Sequence, residues 1–420
     1  MLLTSDPATL HHIMSSNFSN YPKGPDTKLL FEAYGEILFA TDLEEWRKQR
    51  KIVHGFFDHH EMRISTPKIN HEIIQNGLFP VLDQVSEQGL VADLQEIIKR
   101  FMLDATCMIA TGYNHGSLRV GLPEDRVLTA LHDINHGILI RHIFPERLWK
   151  AKKWLGIGAE KKLCQAWETL DSIALEYLHK RKENPELFFQ GINYFSPEFE
   201  AIGLNPSKVM IDVVKSLLFG GTDTPSSALT WFFWLVLENP KVELKIRGEI
   251  EANLSTEKGE KRVFFDPDEL NKLVYLHATL LESMRLYPPA PFQSRTSIES
   301  DILPSGHRVN PMMKIVPCCY AMGRMESIWG EDCLEFKPER WISEKGRIIP
   351  VPSNKFVAFS SGPRICPGKE LGLIRLKAAA ASIIHNYQVE ILKNHPVIPT
   401  TSIILNMKHG LKVRVTNRSA

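Results

Sequence analysis

The stretch FSSGPRICPG, from Phe359 to Gly368, is the most informative part of this chain. It places one cysteine among an aromatic residue, two glycines and an arginine, directly before a segment with the residue pattern of a helix. At ordinary residue frequencies such a coincidence is expected in roughly one random chain of this length per ten thousand. The positions that carry the pattern are Phe359, Gly362, Arg364, Cys366 and Gly368.

Cys366 has the surroundings that a metal-binding thiolate needs. Pro367 suits the first position of a helix, so the sequence predicts Cys366 as the N-cap of the helix that follows. The free amides of the first turn and the helix dipole would then favour the anionic sulfur. Gly362 and Gly368 carry no side chain that would obstruct a flat macrocycle lying against the loop. The alternative is a buried free cysteine at a loop-to-helix junction, which explains neither the arginine nor the phenylalanine.

The stretch resembles the haem-thiolate signature of the cytochrome P450 superfamily at every one of these positions. The resemblance implies haem b (iron protoporphyrin IX) as the cofactor, Cys366 as the proximal ligand of its iron, and a mainly α cytochrome P450 fold with a small β component. No linker rich in Gly, Ser or Pro divides the chain, so residues 1–420 are expected to form a single haem-thiolate domain. Charge, proline and glycine content predicts loops at Gly24–Asp26, Lys182–Leu204, Ser255–Phe265, Pro288–Val316 and Glu344–Lys355.

The N-terminal portion of the fold is expected to be missing, because eukaryotic members usually carry a membrane helix and early sheet strands before the point where this sequence begins. No stretch reaches the roughly 18 to 20 apolar residues that span a bilayer. The resemblance therefore implies membrane association and the cytosolic face of the endoplasmic reticulum, while the sequence itself predicts no anchor. The net charge of +1 gives no reason to expect a nucleic acid as a partner.

A single helical pattern, roughly 50 Å long, runs from Pro206 to about Asn239. Gly220, Gly221 and Pro225 lie within six positions in its middle, and such a cluster predicts a kink that frees backbone carbonyls. The helix is therefore expected to cross the whole domain and to open near its centre.

Asp223 and Thr224 lie in this predicted opening. Taken alone, they would act locally, with Thr224 satisfying a carbonyl and Asp223 capping the second half of the helix. Together with the cysteine stretch, GGTDT resembles the family's oxygen-activation segment, which implies Asp223 and Thr224 as catalytic residues that deliver protons to dioxygen. Pro225 departs from the threonine or serine that commonly follows this pair, so the local geometry stays open.

A second constellation concerns folding. Glu282 and Arg285 in LLESMRLYPP are three residues apart on one helix face, and alone they would be a surface pair contributing about 1 kcal/mol or less. The later segment WGEDCLEFKPERW resembles the family's meander, which implies a buried triad of Glu282, Arg285 and Arg340 that serves folding and haem retention. DPDELNKL, which begins at Asp266, has a capping-box pattern and predicts a helix start.

Two haem propionates in a nearly neutral protein need local cations. Trp46 and Arg50 in LEEWRKQRK resemble the family's WxxxR contact, and Arg295 and Arg364 are further candidates. Each residue alone is most simply a solvated surface residue, but the joint match implies that all four bind the propionates. Basic neighbours on the same helix are expected to form part of a surface for NADPH–cytochrome P450 reductase, namely Arg47, Lys48 and Lys51.

NFSNYPKGP, ALTWFFWLVLENP and LYPPAPF resemble plant members that act on long-chain fatty acids and wax alkanes, the mid-chain alkane hydroxylases in particular. The apolar segments from Leu29 to Ala40 and from Pro288 to Phe292 are candidates to face a hydrophobic substrate, although core packing explains them equally well. The resemblance thus implies a monooxygenase that hydroxylates an alkane, fatty acid or fatty alcohol with dioxygen and reductase-supplied electrons. The alternatives are oxidative phenol coupling or another specialised-metabolite oxidation, a reductase-independent isomerase or dehydratase acting on a peroxide, and an inactive truncated haem protein.

Overall fold

The structure is a computed structural model that describes residues 1–36, 38–183, 195–203, 205–253, 265–400 and 402–418. The prediction of a mainly α fold with a small β component is confirmed. The helices are α1 (Pro7–His11), α2 (Pro25–Leu30), α3 (Leu43–Asp58), α4 (His60–Ile73), α5 (Phe79–Glu87), α6 (Leu94–Thr111), α7 (Arg126–Ile143), α8 (Glu146–Leu155), α9 (Gly158–Glu183), α10 (Phe195–Ala201), α11 (Pro206–Leu237), α12 (Pro240–Asn253), α13 (Pro267–Lys272), α14 (Val274–Leu286), α15 (Cys319–Met322), α16 (Glu326–Trp329) and α17 (Lys369–Asn386).

The strands form small sheets at the edges of this helical body. They are β1 (Leu2–Thr4), β2 (Val91–Asp93), β3 (Arg295–Thr296), β4 (Asp301–Ile302), β5 (Arg308–Val309), β6 (Lys314–Pro317), β7 (Tyr387–Ile391) and β8 (Lys412–Asn417). In one sheet β6 lies between β1, which is parallel to it, and β3, which is antiparallel. In a second sheet β8 lies between β2 and β7, both antiparallel to it, and β4 pairs with β5 in a separate antiparallel ladder.

The helix α11 is the centre of the core. It packs against α6, α9, α14 and α17, and its apolar side chains point in all directions, which is typical of a helix surrounded by protein. Fully buried examples are Val214, Leu218, Leu229, Phe232 and Val236. Because α17 follows the Cys366 loop, this packing brings the helix of GGTDT against the helix that leaves the cysteine.

Several local predictions can be compared with the structure. Asp266 caps α13 in a complete capping box, as predicted. The loop predicted at 24–26 is wrong beyond Gly24, because Pro25 starts α2, and the loop predicted at 288–316 contains three short strands and most of β6. Of the loops predicted at 182–204 and 255–265, residues 184–194, 204 and 255–264 lie outside the described residues, and α10 occupies 195–201.

The expected triad is formed. The Arg285 guanidinium donates from Nε and Nη2 to the two carboxylate oxygens of Glu282, both at 2.8 Å, and Arg340 Nε lies 3.5 Å from one of them. The Trp341 indole and the Lys337 amide also donate to this carboxylate, at 2.9 and 3.0 Å. Since the side chains of Glu282 and Arg285 are both fully buried, removal of one would leave an uncompensated charge.

Across the described part of the chain, no helix has both the length and the apolar character needed to cross a bilayer.

Candidate active site

The Cys366 loop is a tight turn built on backbone contacts. The amide of Cys366 donates to the carbonyl of Phe359 at 2.8 Å, and a short 3-10 turn, Gly362–Arg364, lies between them. Gly362 has φ +66°, and a Cβ atom there would lie 1.8 Å from the carbonyl oxygen of Met14. The glycine is therefore required by the protein itself, because this conformation and this close approach both exclude a side chain.

The prediction that Cys366 is the helix N-cap is wrong by two residues. Gly368 takes the cap position, α17 begins at Lys369, and Cys366 lies in the preceding turn. Burial raises the pKa of the Cys366 thiol, whereas the Gly368 amide, the Arg50 guanidinium and Lys369 lower it. Three groups that favour an anionic sulfur are therefore present, although burial has the larger effect and the helix begins later than the proline indicates.

The two remaining signature residues surround this loop with apolar surface and open space. The ring of Phe359 packs 6.4 Å from that of Phe356, and Lys369 Nζ lies 5.9 Å from its centre. A Cβ atom on Gly368 would meet the Phe57 ring only at 3.8 Å, an ordinary contact. Position 368 therefore lies beside the Phe57 ring with room for one further carbon atom.

The predicted propionate ligands Trp46 and Arg364 are in contact. The Arg364 guanidinium carbon lies 4.4 Å above the Trp46 ring, and its Nη2 donates to the Thr41 carbonyl at 3.0 Å and to the Asp42 carboxylate. Arg50 lies on the same helix as Trp46 and donates from Nη2 to the Ile365 carbonyl, next to the cysteine. The structure thus brings these three predicted residues to the Cys366 loop.

Arg295 is buried beside them. Its Nη1 donates to the Ser294 carbonyl at 2.8 Å, but its Nε has no hydrogen-bond acceptor within the described residues, and neither has Nε of Arg364. Burial and the nearby Arg364 together lower the pKa of Arg295 to about 9, with Asp42 opposing. Burial likewise lowers the pKa of Arg364 to about 10, with Asp42 opposing. The negative charge around these two buried guanidiniums therefore does not fully offset the effect of burial on their pKa values.

Sequence reasoning missed a further cation, Lys23, which lies in the quoted segment NFSNYPKGP. Its ammonium donates to the Phe39 carbonyl at 3.0 Å, and its pKa lies well below the ordinary value because of burial and the nearby Arg364 and Arg295. Asp42 opposes this shift, and its oxygens also accept the amides of Lys23 and Gly24 at 2.9 Å each.

These side chains fit haem. Lys23, Arg295 and Arg364 are three buried basic side chains around one carboxylate, that of Asp42, so basic groups are in excess there. Two propionates supply two negative charges. The unpaired Nε donors of the two arginines are the orphaned buried groups that such carboxylates would satisfy.

The helix α11 continues without a break through the position of the predicted kink. One face of its GGTDTP segment is only partly buried. Gly220, Gly221, Thr224 and Pro225 are partly accessible, whereas Asp223 is fully buried. The Thr224 hydroxyl donates to the Gly220 carbonyl at 2.7 Å. The local role considered for Thr224 is therefore present, and its position on the accessible face leaves its oxygen free to accept a further hydrogen bond.

Asp223 does not cap the second half of the helix. Lys99 Nζ of α6 forms an ion pair with its Oδ1 at 3.0 Å, at an angle outside hydrogen-bond geometry. Asn135 of α7 donates to its Oδ2 at 2.6 Å, and the Tyr34 hydroxyl donates to Asn135 at 2.9 Å. Asp223 is therefore held by neighbours on other elements, which the local sequence could not indicate.

Comparison with known proteins decides the family, since the cytochrome P450 family model matches residues 1–415. The chain belongs to the cytochrome P450 family. This cytochrome P450 therefore takes haem b as its cofactor and acts as a monooxygenase. The fit of the cationic cluster to haem agrees with this membership.

The relatives of this cytochrome P450 include plant enzymes of different specificity. Alkane hydroxylase MAH1 of Arabidopsis thaliana is 41% identical over 429 residues, covering 100% of this chain and 84% of the relative. Noroxomaritidine synthase of Narcissus aff. pseudonarcissus MK-2014 is 36% identical, covering 100% of this chain and 82% of the relative. Cytochrome P450 86B1 of Arabidopsis thaliana is 35% identical, covering 99% of this chain and 77% of the relative.

Proposed function

We propose that this cytochrome P450 hydroxylates a long-chain lipid, which is an alkane, a fatty acid or a fatty alcohol, with electrons from NADPH–cytochrome P450 reductase. The observation that carries the proposal is the 41% identity with an alkane hydroxylase along the whole chain. Haem, when bound, supplies the activation of dioxygen that breaks an unactivated C–H bond.

The residues of the loop and the cationic cluster would hold the cofactor. Cys366 would ligate the iron through its thiolate, and Phe359 would shield the sulfur. Gly362 would keep the loop in shape through its close contact with Met14, and Gly368 would leave room for the macrocycle. The propionates would bind to the Trp46 side chain and to four cations, which are Lys23, Arg50, Arg295 and Arg364.

Asp223 and Thr224 would move protons to the reaction centre. The Thr224 hydroxyl, oriented by the Gly220 carbonyl, would hold water at the accessible face of α11. The Lys99 side chain is 16% exposed and touches the fully buried Asp223 carboxylate, so the pair spans the distance from the surface to the core. A proton taken up at the Asp223 carboxylate could be passed to such water when the carboxylate changes partner.

The surroundings of this segment favour an uncharged substrate. Phe219, immediately before Gly220, stacks on Tyr34 at 4.4 Å and contacts Phe39 at 5.2 Å and Phe31 at 6.3 Å, measured between ring centres. These three partners come from the apolar segment 29–40, in which residue 37 lies outside the described residues. An aromatic wall of this kind would favour an alkyl chain over a charged group.

Phenol coupling is the second candidate, because noroxomaritidine synthase is 36% identical. A phenolic alkaloid precursor carries a cationic amine, which a free carboxylate would recognise. Carboxylates of this region are already engaged, since Glu32 pairs with Arg141 at 2.8 Å, Asp212 with Lys215 at 3.2 Å and Asp223 with Lys99 at 3.0 Å. These pairs favour the lipid over the amine.

The test is product analysis by mass spectrometry after the protein, reconstituted with haem and reductase, is given alkanes, fatty acids, fatty alcohols and alkaloid phenols separately. We expect hydroxylated lipid from the wild type. Asp223→Asn should lower its yield by about a hundredfold, because one proton-transfer group is lost. The matched variant Asp26→Asn, at an exposed surface position, should not. Recovery of a coupled phenol alone would overturn the lipid assignment.

The propionate assignment makes a prediction about Lys23. Lys23→Met should speed the transfer of haem to excess apomyoglobin by about tenfold, since a hydrogen bond to a charged group is lost. Lys23 in the haem-free protein loses its proton as pH rises through a pKa below its ordinary 10.5. Haem loss from the wild type should therefore accelerate with rising pH, and the variant should lack this acceleration. Lys28→Met, at an exposed pair, is the control, and an identical pH profile in all three proteins would contradict the assignment.

The cytosolic face of the endoplasmic reticulum is the proposed location. Apolar side chains are exposed in and around α8, with Trp154 at 85%, and this helix also carries several cations. Such a surface suits the headgroup region of a membrane, and flotation with phospholipid vesicles would measure its binding. The exposed side chains of Arg47, Lys48 and Lys51 on α3 are the proposed contact for the reductase, which salt-dependent reduction kinetics of charge-reversed variants would test.

A further inference from the structure

Pro225 leaves one backbone carbonyl near the centre of α11 without its usual hydrogen-bond donor. In an uninterrupted helix the amide of residue 225 would donate to the carbonyl of Gly221, four residues earlier. Proline has no N–H, so this carbonyl loses its helical partner, yet the helix continues unbroken to Leu237. A replacement donor would explain why the helix is not broken.

The replacement comes from α6. The hydroxyl of Thr106 donates to the Gly221 carbonyl at 2.8 Å. The approach is so close that a Cβ atom on Gly221 would lie 2.7 Å from the Thr106 hydroxyl oxygen and 2.8 Å from its methyl carbon. The glycine and the threonine are therefore a matched pair, since the bond requires position 221 to lack a side chain.

Arg375 fixes the direction of this hydroxyl. Arg375 lies on α17, the helix that follows the Cys366 loop, and its buried guanidinium donates from Nη1 to the Thr106 oxygen at 2.9 Å. Because the guanidinium is only a donor, the hydroxyl proton must point away from it, towards Gly221. A hydroxyl that accepts from a cation is also a stronger donor, because successive hydrogen bonds polarise one another.

We propose that Thr106, oriented by Arg375, is a positioning residue that takes the place of the amide missing at Pro225 and so holds the turn of α11 that carries Thr224. The Thr224 hydroxyl binds to the Gly220 carbonyl, which is adjacent to the one that Thr106 holds. Two hydrogen bonds, from Arg375 to Thr106 and from Thr106 to Gly221, therefore connect α17 through α6 to α11. Its effect on the reaction rests on the proposed function, whereas its effect on the backbone does not.

A double-mutant cycle tests the proposal on the whole chain of 420 residues. Thr106→Val removes the hydroxyl at nearly constant volume, and Pro225→Ala restores an amide that can bind to Gly221. Hydrogen–deuterium exchange of the peptide spanning 217–228 is measured by mass spectrometry, without substrate or reductase. Thr106→Val should speed its exchange by about fivefold, the equivalent of one neutral hydrogen bond, in the wild-type background. In the Pro225→Ala background the same substitution should have no effect.

Two further variants separate positioning from packing. Thr230→Val, also on a buried threonine, removes a hydroxyl from a carbonyl that keeps its helical amide, so exchange of the peptide 217–228 should stay at the wild-type rate. Thr106→Ser keeps the hydroxyl and should stay close to wild type, and it keeps the proposal testable if the valine variant fails to fold. Equal acceleration by Thr106→Val in both backgrounds, or none in either, would overturn the proposal.

The consequence for the reaction is measured with whichever lipid gives product. Electrons from NADPH that do not reach product reduce dioxygen to hydrogen peroxide, with uptake of two protons. Thr106→Val should raise the fraction of NADPH recovered as peroxide about two- to fivefold, with KM unchanged, and Pro225→Ala should suppress the rise. If Thr106→Val speeds hydrogen–deuterium exchange but leaves the fraction of NADPH recovered as peroxide unchanged, Thr106 has only a structural role. That result would overturn its role in positioning Thr224. If no lipid reacts, the lipid assignment fails while the exchange result still tests Thr106.

Discussion

Replacement of Cys366 with serine is expected to abolish the long-wavelength Soret band of the carbon monoxide complex and to lower product formation by at least about a hundredfold, or roughly 2.7 kcal/mol in the barrier. A neutral serine hydroxyl is a far weaker iron ligand than a thiolate. The loop itself should persist, because its shape depends on the Cys366 amide and on Gly362, which the substitution leaves in place. The measurement is the reduced carbon monoxide difference spectrum, followed by turnover.

Cys164→Ser provides the matched control for this experiment. Cys164 is a free, half-buried thiol like Cys366, but it lies on α9, away from the signature loop. We expect its spectrum and its turnover to equal those of the wild type. A Cys366→Ser protein that retained the thiolate spectrum would show that another side chain ligates the iron, and the site proposed above would be wrong.

Removal of the Glu282 carboxylate is expected to be the most damaging change for folding. In Glu282→Ala, the fully buried Arg285 guanidinium would lose two hydrogen bonds at 2.8 Å and its counter-charge. Breaking a buried pair in this way costs about 3 to 5 kcal/mol, which is a large part of the stability of an ordinary protein. Unfolding in guanidinium chloride, followed by circular dichroism, should show the loss of stability. The haem content of the purified protein should fall as well.

Glu339→Gln is the control for the triad, because it also removes a carboxylate from an ion pair. Glu339 pairs with Lys245 at the surface, where the two side chains are 44% and 57% exposed. Such a pair contributes about 1 kcal/mol or less. A Glu282→Ala protein that lost no more stability than Glu339→Gln would contradict the structural role assigned to the triad.

The cysteine loop and the triad could be predicted from sequence because their residues lie within short, densely constrained segments. Gly362 illustrates this, since its conformation and its contact with Met14 both demand glycine. The start of α17 could not be placed as well, because a proline fits the first turn of a helix and also the turn before it, and the structure uses the second option.

The partners of the site residues were much harder to predict. Asp223 is held by Lys99 and Asn135, which come from α6 and α7 and have no fixed sequence spacing from it. The compensation of Pro225 by Thr106 is of the same kind, because the missing amide is visible in the sequence but its replacement is not. Side chains brought together by tertiary packing leave no periodic signal along the chain.

The contact between Gly362 and the carbonyl of Met14 joins segments about 350 residues apart along the chain, and it has a consequence for biosynthesis. Asp42 is likewise paired with Arg364. Contacts of such sequence separation form late, because a long loop must close before they stabilise anything. The ribosome releases residues 23–42 long before residue 364 emerges, so the cationic cluster is completed only after Arg364 has been synthesised. Haem should therefore not be incorporated before the segment from Arg364 to Cys366 has left the ribosome.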